Sequence, residues 1–307
     1  VNLRDLRYAL AVAEHGHFSR AAEACDVSQP TLSGQIRKLE DDLGVALFER
    51  DGRRIRVTPA GAAILERARE AVGAADDVMR IAEASRDPLI GPLRVGIIPT
   101  LAPYLLPLVL PAAHAALPLM PLAIAEEPTD RLIRRLTEGE LDVAILATAP
   151  PGDELAETQL FREPLMVALP GRHPKASLTA IATSDLEGET LLLLADGHCL
   201  RDQALAVCHG RASAPTGSDL RAASLETLLN LVEAGYGITI LPALADDVQR
   251  RDPERLTTRP FVDPGASRAV RLVYRPNTPR RLAAVRFAEL VRTAVAPSVD
   301  RWVQPGA

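Results

Sequence analysis

Cysteine, aromatic residues, lysine and long apolar runs are all scarce in this chain, and each scarcity removes a class of explanation. Three cysteines in 307 residues, Cys25, Cys199 and Cys208, cannot form the disulfide framework of a small secreted domain. Any disulfide here is transient, catalytic or sensing. No stretch reaches the roughly eighteen apolar residues of a membrane span, and Val1-Asn2-Leu3-Arg4-Asp5 lacks the basic-then-apolar layout of a signal peptide. A cytoplasmic protein with no membrane partner is expected. Only Lys38 and Lys175 among the 35 basic residues are lysines, which reads as composition bias before it reads as phosphate recognition. Net positive charge is missing too, since the formal charge is -5 and residues 1–70 balance eleven basic against eleven acidic side chains. Charge alone would miss a nucleic-acid role, and only Arg50, Arg53, Arg54 and Arg56 against Asp51 stand out as locally basic.

What is present is an ordinary globular composition, 47% apolar, at a length that fits two or three domains. Leu3, Leu6, Leu10 and Val12 mark an amphipathic helix that Gly16 ends. Ser19 is placed to cap a second short helix, with Phe18 as its hydrophobic staple. After the turn at Asp26-Val27, Ser28 caps a third helix that carries Pro30 in its first turn and runs through Leu32, Ile36 and Leu39 to Gly44. Two short helices joined by a tight turn form a helix-turn-helix. Asp51-Gly52 between polar and β-branched flanks then predicts a hairpin over 49–58, a wing beside the helices. From Pro59 to about Arg86, Leu65, Ala68, Val72, Ala75, Met79 and Ala82 alternate steps of three and four. This is the seam of a long pairing helix or, alternatively, of a surface helix packed on its own domain.

From Pro92 onward the pattern becomes strand then helix, with strands expected at 93–98, 122–125, 143–146, 165–169, 190–194, 238–241 and 270–274. Such alternation predicts parallel sheets covered by helices, in two α/β lobes with a crevice between them. Thr100, Thr129 and Cys199 each fall just past an expected strand end, where crevices form in α/β sheets, so the three can converge. Each threonine would serve equally as a helix N-cap.

Two sets of residues carry chemistry. On the third helix, capping and packing explain Ser28, Pro30 and Leu32, leaving Gln29, Thr31, Ser33, Gln35, Arg37 and Lys38 as a polar face suited to base edges and phosphates. The second is Asp196-Gly197-His198-Cys199-Leu200-Arg201-Asp202-Gln203 followed by Cys208. If the segment is helical, its thiols are separated by ~13.5 Å of rise and lie on opposite faces. A disulfide needs Cα atoms within about 7 Å, so this pair bonds only by refolding and is a candidate switch. Cys199 opens a helix, where the dipole favours a thiolate, with His198 and Arg201 adding donors or positive charge. A metal reading through His198, Cys199, Cys208 and His209 fails on the same separation, so no metal or cofactor is expected. His15, His17, His114 and His173 read as surface residues, and Cys25 as core.

Phe18-Ser19-Arg20-Ala21-Ala22, Val27-Ser28-Gln29-Pro30-Thr31-Leu32-Ser33, Leu39-Glu40, Leu43-Gly44 and Thr58-Pro59-Ala60-Gly61 together resemble the winged helix-turn-helix of LysR-type transcriptional regulators. The rest of the chain resembles that family's linker helix and regulatory region. The stretch from Asp196 to Cys208, with Ala223-Ser224-Leu225-Glu226-Thr227-Leu228 and Gly237-Ile238-Thr239-Ile240-Leu241-Pro242, is similar to the family's peroxide-sensing members.

The resemblance implies an all-α winged helix-turn-helix domain at 1–58 and a linker and dimerisation helix at 59–88. An α/β regulatory region of two Rossmann-like, periplasmic-binding-protein-like lobes follows at 89–307, with lobe I at 89–163 and 267–307 and lobe II at 164–266. It implies DNA contacts from Ser28, Gln29, Pro30, Thr31, Ser33, Gln35, Arg37, Lys38, Arg50, Arg53 and Arg54. Peroxide would be bound by Thr100, Thr129, His198, Arg201, Asp202 and Gln203, with Cys199 as the sensing thiol and Cys208 as the resolving one. The implied partners are promoter DNA, RNA polymerase, hydrogen peroxide as effector, a thiol reductant of the glutaredoxin or thioredoxin type, and further copies of the chain, from homodimer to homotetramer. Two other readings stay open: a regulator of the same family that answers to a small metabolite with redox-silent cysteines, and a thiol peroxidase. The DNA-binding pattern argues against an enzyme.

Overall fold

The computed structural model describes residues 1–51, 54–84, 87–208, 222–248, 252–263 and 265–303. The chain forms two compact units, Val1–Glu83 with Glu138–Glu140, and Ala84–Thr137 with Leu141–Ala307.

The first unit holds helices α1 (Leu3–His15), α2 (Phe18–Ala24) and α3 (Gln29–Leu43), then a hairpin of β1 (Phe48–Asp51) and β2 (Arg54–Val57) and the start of α4 (Pro59–Ala84). Local chemistry sets these limits. Asn2 accepts from the Asp5 amide and Ser28 from the Thr31 amide, while Gly16 and Gly44 end α1 and α3 in the left-handed conformation. Asp26, at φ 53°, makes the turn between α2 and α3. The Ser19 cap is not formed: α2 begins one residue earlier, with extended His17 at the cap position and no side-chain bond. Glu40 accepts from the amides of Leu47 (2.8 Å) and Phe48 (3.1 Å), which fixes where α3 hands over to the hairpin. Thr58 caps α4 by accepting from the Gly61 amide at 2.8 Å and donates to Ala46 O at 2.7 Å. Residue 61 must be glycine because any Cβ there would run into the Leu47 carbonyl.

Tyr8, Val12, Ala21, Leu32, Ile36, Leu39, Leu47 and Phe48 form the core of this unit, and Leu65 of α4 joins them. The seam of α4 therefore divides. Leu65 and Ala68 are buried, Val72 and Ala75 half-buried, and Met79 is 64% exposed. Cys25 is half-buried against this core.

The second unit is built on one mixed sheet. Its elements are β3 (Leu93–Ile97), α5 (Ala102–Ala116), β4 (Leu122–Glu126), α6 (Thr129–Thr137), β5 (Val143–Leu146), β6 (Ala156–Pro170) and α7 (Cys199–Cys208). They continue with α8 (Leu225–Glu233), β7 (Thr239–Pro242), α9 (Ala243–Val248), β8 (Leu256–Pro260), β9 (Ser267–Tyr274) and α10 (Arg281–Val303). The strand order is β4-β3-β5-β9-β6-β7, with β8 also pairing β6.

The expected all-parallel pairing holds only for β3, β4 and β5, since β9 runs antiparallel to both β5 and β6, and β6 antiparallel to β7 and β8. β6 is the reason. Its first part pairs β9 from Ala156↔Tyr274 to Pro164↔Ser267, and from Leu165 it pairs β7, with β8 joining from Met166, so one strand serves both halves of the unit. The strand expected at 190–194 is absent. Leu191 and Leu194 make isolated bridges to Ile238 and Ala222, and burial of all four leucines from 191 to 194 imitates a strand pattern. Ser224 caps α8 as its sequence suggests, accepting from the Thr227 amide. His173 is not a free surface residue: its Nε2 lies 3.3 Å from Glu189, and its Nδ1 accepts from the Lys175 amide.

Candidate functional site

Cys199 is the first residue of α7 and lines a narrow void with Ile98, Pro99, Thr100, Pro128, Thr129, Gly197 and His198. Thr100 lies beyond the carboxyl end of β3 and Thr129 beyond that of β4, so the expected convergence occurs. Neither threonine is an N-cap. α5 is capped by Leu101 with no side-chain bond, and Thr129 is the first residue of α6, its hydroxyl making no bond. Two buried side-chain atoms on its wall, Thr129 Oγ1 and His198 Nδ1, lack a hydrogen-bond partner, out of five such atoms among the described residues. Buried polar groups are nearly always paired, so this concentration marks a place prepared for a small polar molecule.

The electrostatics differ from the sequence expectation. Burial pushes the Cys199 thiol up and outweighs the opposing influences, which are the positive charge of Arg268, the Thr129 hydroxyl, and the backbone amides of Cys199 and Leu200 at the start of α7. The Thr129 hydroxyl is near enough to favour the thiolate, although the contact falls short of full hydrogen-bond geometry. Burial pushes His198 down, so it is neutral and supplies no positive charge. Arg201 is turned away, its Nε 3.2 Å from Asp196 and its Nη1 donating to Leu194 O at 3.2 Å. Asp202 is exposed and does not line the void. Gln203 donates to Ala147 O at 2.8 Å and lines a separate cleft of about 270 Å³ with Leu165, Thr183, Val207 and Ser267. Arg201, Asp202 and Gln203 are thus not brought around the sulfur.

Sequence reasoning missed Arg268. It is 2% exposed, and its Nη1 and Nη2 donate to Thr100 Oγ1 (3.1 Å) and Thr100 O (3.2 Å). Its Nε donates to Glu163 Oε1 at 2.6 Å. Lying 168 residues from Thr100 in the chain, it gave no local signal.

Cys208 ends α7, nine residues and ~13.5 Å of helical rise from Cys199. It is 1% exposed on the face that also buries Leu200 and Ala204, and burial pushes its thiol up to about 11. Both cysteines are free thiols. Among the described residues no group of three or more His, Cys, Asp or Glu side chains could hold a metal ion, and His209 lies outside them.

On α3 the side chains of Ser28, Gln29, Pro30, Thr31, Arg37 and Lys38 are exposed, and Gln35 is half-buried. Ser33 is buried instead, because it follows Leu32 directly and lies about one helical turn before Ile36. Arg53 and the side chains of Arg50 and Arg54 lie outside the described residues.

A capped recognition-type helix beside a hairpin, with a two-part mixed-sheet unit, defines a bacterial transcriptional regulator. Residues 3–62 match the bacterial regulatory helix-turn-helix of the lysR family and residues 86–296 the LysR substrate binding domain. The chain belongs to the LysR family of DNA-binding regulators. It is 46% identical to the hydrogen peroxide-inducible genes activator of Dickeya chrysanthemi, over 95% of each chain. Among solved structures it resembles a full-length OxyR variant from Pseudomonas aeruginosa (38% identity, 95% of each chain, TM-score 0.76). It also resembles a Corynebacterium glutamicum OxyR mutant with H2O2 bound (36% identity, 98% of this chain and 95% of that one, TM-score 0.65).

Proposed function

We propose that this chain is a hydrogen-peroxide-sensing transcriptional regulator, switched by a reversible Cys199–Cys208 disulfide and controlling oxidative-stress genes. The observation that carries the reading is the void at Cys199, with its unpaired polar atoms and with Arg268 bonded to Thr100 on its wall. The space is too tight for a larger ligand, and its side chains must shift slightly to admit a molecule of peroxide size.

Thr100, Thr129 and His198 hold the peroxide with its O–O bond towards the sulfur. The Cys199 thiolate attacks one oxygen, the O–O bond breaks, and hydroxide leaves, to be protonated to water, while the sulfur becomes a sulfenic acid. Cys208 then attacks that sulfur, forming the disulfide and releasing a second water. Because burial keeps Cys199 largely protonated, the reactive thiolate is the minor resting form, and Arg268 and Thr129 keep it within reach. α7 must unwind for the thiols to meet, and the new shape of this segment changes how copies of the chain pair on promoter DNA, from homodimer to homotetramer. Gln29, Thr31, Arg37 and Lys38 read the promoter, RNA polymerase is recruited there, and a thiol reductant of glutaredoxin or thioredoxin type resets the switch. The protein acts in the cytoplasm and is a regulator, not an enzyme.

A second reading, a small-metabolite effector with redox-silent cysteines, is favoured by the cleft of about 270 Å³ beside α7. Cys199→Ser separates them. The sensor keeps DNA binding and loses its peroxide response in promoter footprints taken at fixed salt, whereas a metabolite regulator keeps its response to its effector. Mass analysis after stoichiometric peroxide should give an intramolecular Cys199–Cys208 bond. Oxidised Cys199 with Cys208 still free would sink the resolving step.

A further inference from the structure

Glu163 and Arg268 face each other as a cross-strand pair on β6 and β9, at the last step but one before β6 changes partners. Both side chains are essentially inaccessible, at 0% and 1% exposure. Glu163 uses both oxygens: Oε1 accepts from Arg268 Nε at 2.6 Å, and Oε2 accepts from the Leu244 amide in the first turn of α9 at 3.1 Å. Because the carboxylate takes the Nε edge, the two terminal nitrogens are left for Thr100, one for its hydroxyl and one for its carbonyl. A planar guanidinium held along one edge has a fixed direction, and without that anchor it is free to turn about its stem.

A buried ion pair often gains little over a well-packed apolar pair of the same volume, so stability alone is a weak reason for this arrangement. We propose that Glu163 is a positioning residue for the chemistry at Cys199: its carboxylate holds the Arg268 guanidinium against Thr100, on the wall of the void that the thiol lines. The charged and titratable groups around that thiol are Arg268 and, behind it, Glu163, from the sheet, with His198 preceding it and the outward-facing Arg201 and Asp202 on its own helix. Arg268 is the charged group that draws the thiol towards ionisation, against the larger effect of burial, so its placement contributes to the reactive fraction. The consequence for peroxide rests on the sensing role of Cys199; the positioning itself does not.

The test uses the full-length protein and follows the alkylation rate of the Cys199 peptide by iodoacetamide against pH, read by mass. Glu163→Asp keeps the charge but draws the carboxylate back by one methylene, too short to reach both Arg268 Nε and the Leu244 amide. Its alkylation midpoint is expected to rise by about one pH unit, leaving roughly a tenth of the thiolate at neutral pH. Glu163→Gln keeps an acceptor oxygen in place and removes a negative charge, so its midpoint stays at or below that of the parent. In an Arg268→Gln background Glu163→Asp adds no further rise. A Glu163→Asp midpoint equal to the parent's, or a rise that persists without Arg268, overturns the proposal. If Glu163→Asp does not unfold cooperatively, Glu163→Gln decides, and a midpoint above the parent's overturns it. Alkylation needs no peroxide, so the expected shifts in a protein whose parent ignores peroxide would refute the sensing role and leave the positioning intact.

Discussion

Replacing Leu200 by Ala tests whether α7 must leave its place for Cys199 and Cys208 to bond. Leu200, Ala204 and Cys208 lie on the buried face of α7 at 2%, 3% and 1% exposure, so unwinding the helix strips all three from the core. Re-exposing Leu200 alone costs about 1.5–3 kcal/mol, which oxidation has to supply. A buried Leu→Ala change typically costs 2–5 kcal/mol, and here the cost falls on the reduced, helical state alone. At 30 mV per 1.4 kcal/mol for a two-electron couple, the midpoint potential should move about 40–110 mV more negative. The assay equilibrates the protein in dithiothreitol redox buffers, traps free thiols by alkylation and reads the bonded fraction by mass. Leu205, 39% exposed on the same helix, supplies the control, since Leu205→Ala should leave the potential in place. A Leu200→Ala potential unmoved within about 10 mV would mean that the packing survives oxidation and that unwinding is the wrong picture.

Thr129→Val removes a buried hydroxyl that has no partner, so stability should hold or rise by up to ~1 kcal/mol while peroxide oxidation of Cys199 slows; slower oxidation without that stability result would point to misfolding rather than lost chemistry. Cys208 titrates near 11 when folded against an ordinary thiol value near 9, so the unfolded chain loses its proton first as pH rises. Stability should therefore be flat below about pH 9 and fall by roughly 2.7 kcal/mol as pH approaches 11, and urea midpoints of Cys208→Ala should lack that fall. On α3, Arg37→Ala should reduce the slope of log affinity against log salt by about 0.9 if the side chain neutralises one phosphate, an effect that salt titration of promoter binding reads directly. Gln29→Ala should instead cost about 1–3 kcal/mol at the preferred site with the slope unchanged.

What the sequence could reveal was what neighbours in the chain decide. Ser28, Gly16, Gly44 and Ser224 set helix limits through bonds that span a few residues, so these limits could be read directly. Ser19 misled because α2 starts after the extended His17, whose side chain makes no cap bond, and a plausible capping residue two positions further on looks the same in sequence. Ser33 misled for a different reason, since it is buried next to Leu32 and about one turn before Ile36, where periodicity alone reads a polar residue as outward.

The site divides along the same line. Cys199, His198, Thr100 and Thr129 stand next to strand ends or helix starts, which chain order can locate, but the charge that acts on the thiol comes from elsewhere. Arg268 faces Glu163 across 105 residues because a single strand, β6, pairs β9 in its first part and other partners in its second. No repeat or spacing encodes that register. Arg201, two positions from Cys199, has the better local claim to the role, yet it is bonded to Asp196 and Leu194. A charge carried on α7 would be displaced by the unwinding proposed to bring Cys199 to Cys208. One held by β9 and anchored on β6 would remain in place, ready to act again on the thiol once α7 refolded, and under the proposed switch this favours a sheet residue over a helix residue.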